Sequence, residues 1–285
     1  MSEMSETSEI DDEKRSRGTL LLVHAHPDDE AITTGGVMAK AHDEGRRVVL
    51  VTATRGERGE IHNMDEAATR PRLAEVRTEE LRRAGQILGV DRQVFLGYVD
   101  SGMAGTEGND DPASFNRATL LEAAGLLAVV MREERPDVVV SYGADGIYGH
   151  PDHVKAHEVT VAALDLLRDT EGWEPAKAYF AAVPRSGIER MREMAREQGV
   201  DLGGDDGGIQ IEGVPDEVIT TRVDVSAWVD RKRDAFAAHV SQNDPNSPFA
   251  TMQDSIYRMA FGAEFYVLAR GALGADRESD LFQGV

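Results

Sequence analysis

Short apolar runs alternate with segments of helical periodicity along the first part of this chain. The apolar runs have the length and composition of strands that are buried on both faces of a parallel sheet. They cover residues 19–24, 47–53, 93–98 and 137–142, and the predicted helices cover 31–44, 72–88, 117–134 and 152–168. Gly45 and Gly89 stand directly after two of these helices, at the position where a glycine commonly ends a helix.

This alternation of strands and helices predicts the fold class. Right-handed crossovers between parallel strands favour an α/β fold with a Rossmann-like, doubly wound and mostly parallel sheet. Ligands of such sheets bind in the crevice beyond the carboxyl ends of the strands. Polar segments follow all four predicted strands, at residues 25–30, 54–60, 99–105 and 143–153. We therefore expect these four segments to converge on one crevice.

The rest of the chain has a less regular pattern. It contains two helical segments, at residues 187–197 and 228–239. A candidate edge strand covers 218–223, and an acidic, glycine-rich loop covers 201–213. We expect a disordered acidic tail over residues 1–18 and a single domain over 19–285. Within that domain, 19–182 would form the core, and 183–285 a C-terminal extension over the crevice.

Composition and charge narrow the function classes. The chain has 31 basic and 52 acidic residues, a formal net charge of −21, and such a surface repels nucleic acid and anionic lipid. Because there is no cysteine, a metal ion would be held by histidine, carboxylate or backbone oxygen. No apolar stretch has the length of a membrane helix, and the first residues lack a signal-peptide pattern. We expect a cytoplasmic protein with no nucleic-acid or membrane partner.

Two His-Pro-Asp clusters carry the candidate chemistry. The first, with His26, Asp28 and Asp29, lies where the first strand gives way to a helix, and the second, with His150 and His153, follows the fourth strand. Two histidines and one carboxylate make a three-ligand set with an open position, the arrangement that catalytic zinc uses to hold a water molecule. Zinc lowers the pKa of that water to about 7, and a neighbouring carboxylate can accept its proton.

Each of these residues, taken alone, also has an ordinary structural explanation. Acidic residues at a helix start act as caps and compensate the helix dipole, which applies to Glu30 as well as to the two aspartates. The recurrence of His-Pro-Asp at two strand–helix junctions favours a metal site, because the imidazoles add nothing to packing there. His24 ends the first apolar run, two residues before His26, and we expect His24 to be structural.

The clusters resemble those of the LmbE-like or PIG-L family of zinc-dependent N-deacetylases, and most closely its mycothiol-pathway members, the N-acetylglucosaminyl-inositol deacetylases. The resemblance rests on AHPDDE at 25–30, GERGE at 56–60, DSGMAGT at 100–106 and GIYGHPDH at 146–153. The pairing of AHPDDE with a distant HPDH is its specific part. The family's Rossmann-like fold, with its site at the strand carboxyl ends, agrees with the pattern of this chain.

The resemblance implies a metal centre in which His26, Asp29 and His153 are the ligands. Zinc is the metal that the family implies, and ferrous iron is also compatible with two histidines and one carboxylate. Asp28 would act as the general base and later protonate the amine.

The resemblance also implies roles for residues around the metal centre. His150 would stabilise the oxyanion, and Tyr148 would polarise the amide carbonyl. Arg77 and Asp100 would contact the sugar substrate, and Asp152 would orient His150 or His153 from behind. His239 and Gln242 resemble a segment that approaches the substrate in relatives; the alternative is a helix-end histidine with no such contact.

The implied reaction is the metal-dependent hydrolysis of an N-acyl group, in the simplest case N-acetyl, from an amino sugar or its inositol glycoside. The expected partner is this small-molecule substrate, and homo-oligomerisation is left open. One alternative is an amidase that acts on mycothiol S-conjugates, and another is a non-catalytic sugar-binding module. A nucleotide-binding oxidoreductase is disfavoured, because no G-x-G-x-x-G follows the first strand.

Overall fold

One seven-stranded sheet forms the centre of the protein. The computed structural model describes residues 13–197, 211–247, 251–274 and 277–285. The strands are β1 (Thr19–His24), β2 (Arg47–Thr54), β3 (Arg92–Tyr98), β4 (Val138–Tyr142), β5 (Lys177–Ala182), β6 (Thr221–Asp224) and β7 (Ala263–Arg270). Their order across the sheet is β3-β2-β1-β4-β5-β7-β6. Strands β1 to β5 are parallel, whereas β7 pairs antiparallel with both β5 and β6. The predicted fold class is confirmed.

Helices cover both faces of this sheet. They are α1 (Asp29–Thr33), α2 (Gly35–Asp43), α3 (Glu66–Thr69), α4 (Leu73–Leu88), α5 (Leu120–Glu134), α6 (Gly146–Gly149), α7 (Pro151–Glu171), α8 (Arg185–Glu197), α9 (Val229–Ala237) and α10 (Asp254–Phe261). None of the helices in the described ranges is both long enough and apolar enough to cross a membrane.

Burial along the strands explains their positions in the sheet. Every residue of β1 and β2 is buried, because helices pack on both of their faces, whereas β6 alternates buried and exposed residues as an edge strand does. Leu20 and Leu22 point into a core shared with α2, α4 and α9. Leu21 and Val23 point into a second core shared with α5 and α7. The period-two alternation of side chains therefore divides the interior into two layers.

The helix predicted over residues 31–44 is wrong in one respect, since it is broken into α1 and α2 at Thr34. The backbone of Thr34 leaves the helical conformation, with φ −137° and ψ 4°. Its hydroxyl oxygen lies 2.8 Å from Nε2 of His24. The two free amides at the start of α2, those of Gly36 and Val37, donate to the carboxylate of Glu264 at 2.8 and 2.9 Å. Contacts with distant residues thus stabilise the break.

Most of the C-terminal extension enlarges the sheet and covers one helical face. β7 and β6 widen the sheet beyond β5, and α9 packs against α2 and α4. Among the described residues of the extension, Gln242 in the segment after α9 lines the crevice. The pattern did not indicate α10 or β7, and most of the predicted acidic loop, residues 201–210, lies outside the described residues. The division into an acidic tail and a single domain stays a prediction.

A buried ion pair lies within this extension, and its removal should be costly. The Lys232 ammonium lies 2.6 Å from Glu264, and both side chains are at most 3% exposed. Glu264→Ala would leave that charge buried without its carboxylate, so we expect the free energy of unfolding to fall by about 3–5 kcal/mol in urea denaturation. The matched control is Asp254→Ala, whose carboxylate is 59% exposed, with an expected loss of about 0–1 kcal/mol. Equal losses in the two variants would contradict this expectation.

Candidate active site

The polar segments converge as expected, at the carboxyl ends of the parallel strands. From β1 to β3 the strands are added on one side of β1, and from β4 onwards they are added on the other side. This switch point between β1 and β4 opens a crevice. A cavity of about 1590 Å³ lies there. The segments after β1, β2, β3 and β4 and the segment after α9 contribute, among others, His26, Arg58, Asp100, Tyr148 and Gln242 to its lining.

His153 at the start of α7 presents one ring nitrogen without a hydrogen-bond partner. Its Nδ1 lies 3.2 Å from the carbonyl oxygen of Gly146, which can only accept, so Nδ1 carries the proton. Nε2 is buried, has no hydrogen-bond partner, and lies 3.2 Å from a carboxylate oxygen of Asp29. The ring stacks on Tyr142, with 4.3 Å between centroids. With Nδ1 as the donor, Nε2 is the ring nitrogen that faces Asp29 and that could bind a metal ion.

A hydrogen bond also orients the ring of His26. Its Nε2 lies 3.1 Å from the carboxylate of Asp152, and its Nδ1 faces Asp29 at 3.4 Å. The same carboxylate of Asp152 accepts the backbone N–H of Ser101 at 2.9 Å and the Ser101 hydroxyl. Asp152 had been expected to orient His150 or His153, but its carboxylate contacts His26 instead. A carboxylate behind a ligand histidine fixes its tautomer and raises its basicity.

Asp29 lies between these two histidines. One of its oxygens accepts the backbone N–H of His26 at 2.8 Å, which fixes the side chain at the helix start. Burial alone would raise the pKa of Asp29, but His153 and His26 hold it well below its usual range. The donor set of His26, Asp29 and His153 fits a divalent ion, because it supplies two directed nitrogen lone pairs and one charged carboxylate.

Other combinations of neighbouring side chains have atoms that are close enough to share an ion. His26, His150 and His153 form one such group, and His26, Asp100 and Asp152 form another. Backbone and hydroxyl donors already occupy the oxygens of Asp100 and Asp152. One ring nitrogen of His150 is occupied as well. His150 is the N-cap of α7, and its Nδ1 accepts the backbone N–H of Asp152 at 3.1 Å.

This hydrogen bond determines which ring nitrogen of His150 can donate. With Nδ1 accepting, the proton of the neutral ring is on Nε2, so the side chain is a donor on its other edge. Burial and the neighbouring His26 and His153 lower the pKa of His150 to about 4. His150 is therefore a neutral donor that lines the cavity.

Tyr148 lines the same cavity from α6, whose backbone departs from helical geometry. The preceding residue, Ile147, has a φ of 68°, in the left-handed region that β-branched residues rarely adopt. The Tyr148 ring lies 4.9 Å from that of His153, measured between centroids. Burial and the charge of Asp29 raise the pKa of Tyr148, so its hydroxyl keeps its proton and can donate a hydrogen bond.

Asp28 is an acidic residue of this cluster that lines the cavity. Its side chain remains 21% exposed and lies 3.3 Å from the guanidinium of Arg77. Burial raises the pKa of Asp28 to about 6, against the opposing effect of Arg77. A carboxyl group with such a pKa is well suited to accept and return a proton near neutral pH.

Arg77 and Asp100, the predicted substrate contacts, both line the cavity and are also bonded within the protein. Arg77 donates to the carbonyl of Gly56 at 2.9 Å. Asp100 accepts the backbone N–H groups of Arg58 and Gly102 at 3.1 and 2.7 Å. Burial alone would raise the pKa of Asp100, but His26 and the backbone N–H of Gly102 lower it. Their atoms are thus already oriented before any substrate binds.

Two supporting residues were not indicated by the sequence reasoning. Tyr142 stacks on His153, and its hydroxyl accepts the backbone N–H of Ala25 at 3.0 Å, which ties β4 to the loop after β1. Ser101 bonds to Asp152 and so connects the loop after β3 to His26. The position of Tyr142 at the end of a strand next to the site was its only signal. His24 is bonded to Tyr142 and Thr34, which agrees with a structural role.

The fold and the site define an α/β protein with a candidate divalent-metal site at the switch point of a Rossmann-like sheet. Residues 21–164 match the PIG-L family, described as GlcNAc-PI de-N-acetylase. The 1D-myo-inositol 2-acetamido-2-deoxy-alpha-D-glucopyranoside deacetylase of Acidothermus cellulolyticus is 45% identical over 282 residues, covering 94% of this chain and 95% of that protein. The chain belongs to the PIG-L family.

Solved structures agree on the fold. The N,N'-diacetylchitobiose deacetylase of Pyrococcus horikoshii matches with a TM-score of 0.57 at 20% identity, over 91% of this chain and 86% of that one. The 4-carboxy-2-hydroxymuconate hydratase of Pseudomonas putida KT2440 matches with a TM-score of 0.56 at 20% identity, over 91% of this chain and 99% of that one. Since a deacetylase and a hydratase share the fold, the site must decide the function.

Proposed function

We propose that this protein is a metal-dependent N-deacetylase that removes the acetyl group from an N-acetylglucosaminyl-inositol. The observation that carries the proposal is the buried and unpartnered Nε2 of His153, which faces Asp29 beside the proton acceptor Asp28. The name of the Acidothermus relative, 45% identical over nearly the whole chain, supports this substrate.

His26, Asp29 and His153 would hold the ion, as the lone-pair directions described above favour. A divalent ion bound there would act as a Lewis acid that polarises the amide carbonyl and makes a water molecule more acidic. Zinc suits two histidines and one carboxylate, and ferrous iron takes the same ligands.

The side chains around the ligands supply the proton transfers and the oxyanion contacts. Asp28 would accept the proton of the attacking water and return it to the departing amine nitrogen. Nε2–H of His150 and the hydroxyl of Tyr148 would donate to the oxygen on which negative charge develops. Each well-placed donor of this kind contributes about 3–4 kcal/mol to transition-state stabilisation.

The charge of the cavity favours an uncharged glycoside over a phosphorylated one. Its lining contains seven carboxylates and two arginines, namely Asp28, Asp29, Glu60, Asp100, Glu107, Asp110 and Asp111 with Arg58 and Arg77. Both arginines already face carboxylates, Arg58 at 2.6 Å from Asp111 and Arg77 at 3.3 Å from Asp28. A phosphate would therefore meet an acidic surface whose cations are paired.

We accordingly expect a phosphate on the inositol ring to lower kcat/KM at least about tenfold, because like charges that are brought together are unfavourable. Amine release from N-acetylglucosaminyl-inositol, with and without an inositol phosphate, measures the ratio. Added salt should reduce the difference in kcat/KM between the two substrates, since it screens exposed charges. A phosphorylated substrate that reacts equally well would contradict this reading of the cavity.

The same assay tests the proposed function itself. N-acetylglucosamine and a mycothiol S-conjugate complete the panel, and release of amine from N-acetylglucosaminyl-inositol should be the fastest. Preferential cleavage of the conjugate would establish the amidase alternative. Sugar binding without amine release from any compound, in metal-loaded protein, would establish the non-catalytic alternative.

A further inference from the structure

A fully buried pair of side chains lies behind Asp28. Nε2 of His239 donates to a carboxylate oxygen of Glu30 at 2.7 Å, and both side chains are 0% exposed. Glu30 stands in α1, whereas His239 follows α9, 209 residues along the chain. Neither residue lines the cavity, so neither is placed to contact a substrate.

The other oxygen of Glu30 holds the backbone of Asp28. It accepts the Asp28 N–H at 2.9 Å. Asp28 has φ 103° and ψ −30°, a conformation that a residue with a side chain rarely adopts. Such a conformation persists only where surrounding contacts stabilise it. The buried carboxylate of Glu30 is one such contact.

This backbone conformation decides where the Asp28 carboxyl group points. The adjacent residues, Pro27 and Asp29, are bonded to Arg77 and to the His26 amide, so the chain on both sides is held. A change of φ at Asp28 would therefore turn its carboxyl group relative to the ligand cluster. The contact at 3.3 Å with Arg77 would change with it.

We propose that Glu30 and His239 are positioning residues that keep the carboxyl group of Asp28 aimed at the reacting atoms. His239 fixes the rotamer of Glu30, and Glu30 maintains the left-handed backbone of Asp28. The role rests on the proposed function, in which Asp28 is the proton acceptor. It also makes the C-terminal extension necessary for catalysis, although that extension supplies none of the candidate ligands.

Glu80 in α4 provides a matched control. Its carboxylate is also buried and anchors the same segment after α9, accepting the backbone N–H and the hydroxyl of Ser241, both at 2.7 Å. Glu80 has no contact with Asp28 among those described. Glu80→Ala therefore removes a comparable buried acceptor without removing the contact to the Asp28 backbone.

Crystal structures test the geometric part without any activity measurement. In Glu30→Ala, the φ of Asp28 should leave the left-handed region and its carboxyl group should turn away from the ligands. In Glu80→Ala, Asp28 should keep its conformation. An unchanged Asp28 in Glu30→Ala would overturn the proposal. If Glu30→Ala does not fold, the same comparison is made with His239→Ala, in which displacement of Glu30 and Asp28 is expected.

Kinetics on the metal-loaded enzyme test the catalytic consequence. In His239→Ala and Glu30→Ala, kcat should fall about 10- to 100-fold, whereas KM and metal content stay near the wild-type values. Glu30→Gln should recover most of the loss, because its amide oxygen still accepts the Asp28 N–H. Glu80→Ala should lower the melting temperature but retain kcat. Equal losses of kcat in Glu80→Ala and His239→Ala would indicate a merely structural role and overturn the proposal.

A double-mutant comparison separates this inference from the proposed function. If the pair acts through Asp28, His239→Ala should cost little more once Asp28→Asn is present. Full additive losses would overturn the proposal while the deacetylase function stands. Wild-type enzyme that releases no amine from the panel would refute the proposed function, and the crystal structures would then still decide whether the pair holds Asp28.

Discussion

Asp28→Asn is expected to lower kcat by about a hundred- to ten-thousandfold, the usual cost of losing a general base. The amide is nearly isosteric with the carboxylate but cannot accept the proton. The three candidate ligands are untouched, so the variant should still bind one divalent ion per chain. Amide hydrolysis and elemental analysis on the same purified protein provide both measurements.

The neighbouring aspartate serves as the control. Asp29→Ala removes the carboxylate that lies between His26 and His153, at 3.4 and 3.2 Å from their ring nitrogens. Metal content and activity should therefore fall together, and excess metal should restore part of both. Near-normal turnover in Asp28→Asn, or loss of its metal as readily as in Asp29→Ala, would show that the two roles are wrongly assigned.

His150→Ala is expected to lower kcat by about a hundred- to a thousandfold, as removal of an oxyanion donor does. The metal content should stay near one ion per chain, because Nδ1 of His150 is occupied by the backbone N–H of Asp152 and the ring is not needed as a ligand.

His153→Ala is the matched comparison, since His153 stands in the first turn of α7, just after the N-cap His150, and its free Nε2 is a candidate ligand nitrogen. That variant should lose both metal and activity. Loss of metal in His150→Ala would instead favour the alternative donor group of three histidines. Titration of each apoprotein with zinc, followed calorimetrically, distinguishes these outcomes.

The fold and the centre of the site could be predicted from the sequence because their signals are local. Strands β1 and β2 are continuous apolar runs, and such runs are buried on both faces whichever strands flank them. A polar cluster that directly follows a parallel strand must lie at the carboxyl edge of the sheet. The pattern therefore predicts the meeting of 25–30 with 143–153 that the cavity shows.

Other features depended on contacts between segments that are distant in the chain. The break at Thr34 results from its bond to His24 and from the acceptance of two α2 amides by Glu264, 228 and 227 residues away. The insertion of β7 between β5 and β6 is likewise a matter of long-range pairing. Periodicity contains no information about such partners.

The fold class, the crevice and the residue types that meet there are predictable from the order of residues, because side-chain direction follows from strand and helix periods. Which atoms face one another depends on the packing of the folded chain. It placed Asp152 against His26, left Nε2 of His153 without a partner, and set Glu30 and His239 behind Asp28. Whether a hydrogen bond forms depends on its direction and on differences of a few tenths of an ångström in the donor–acceptor distance. The packing of the whole chain sets both.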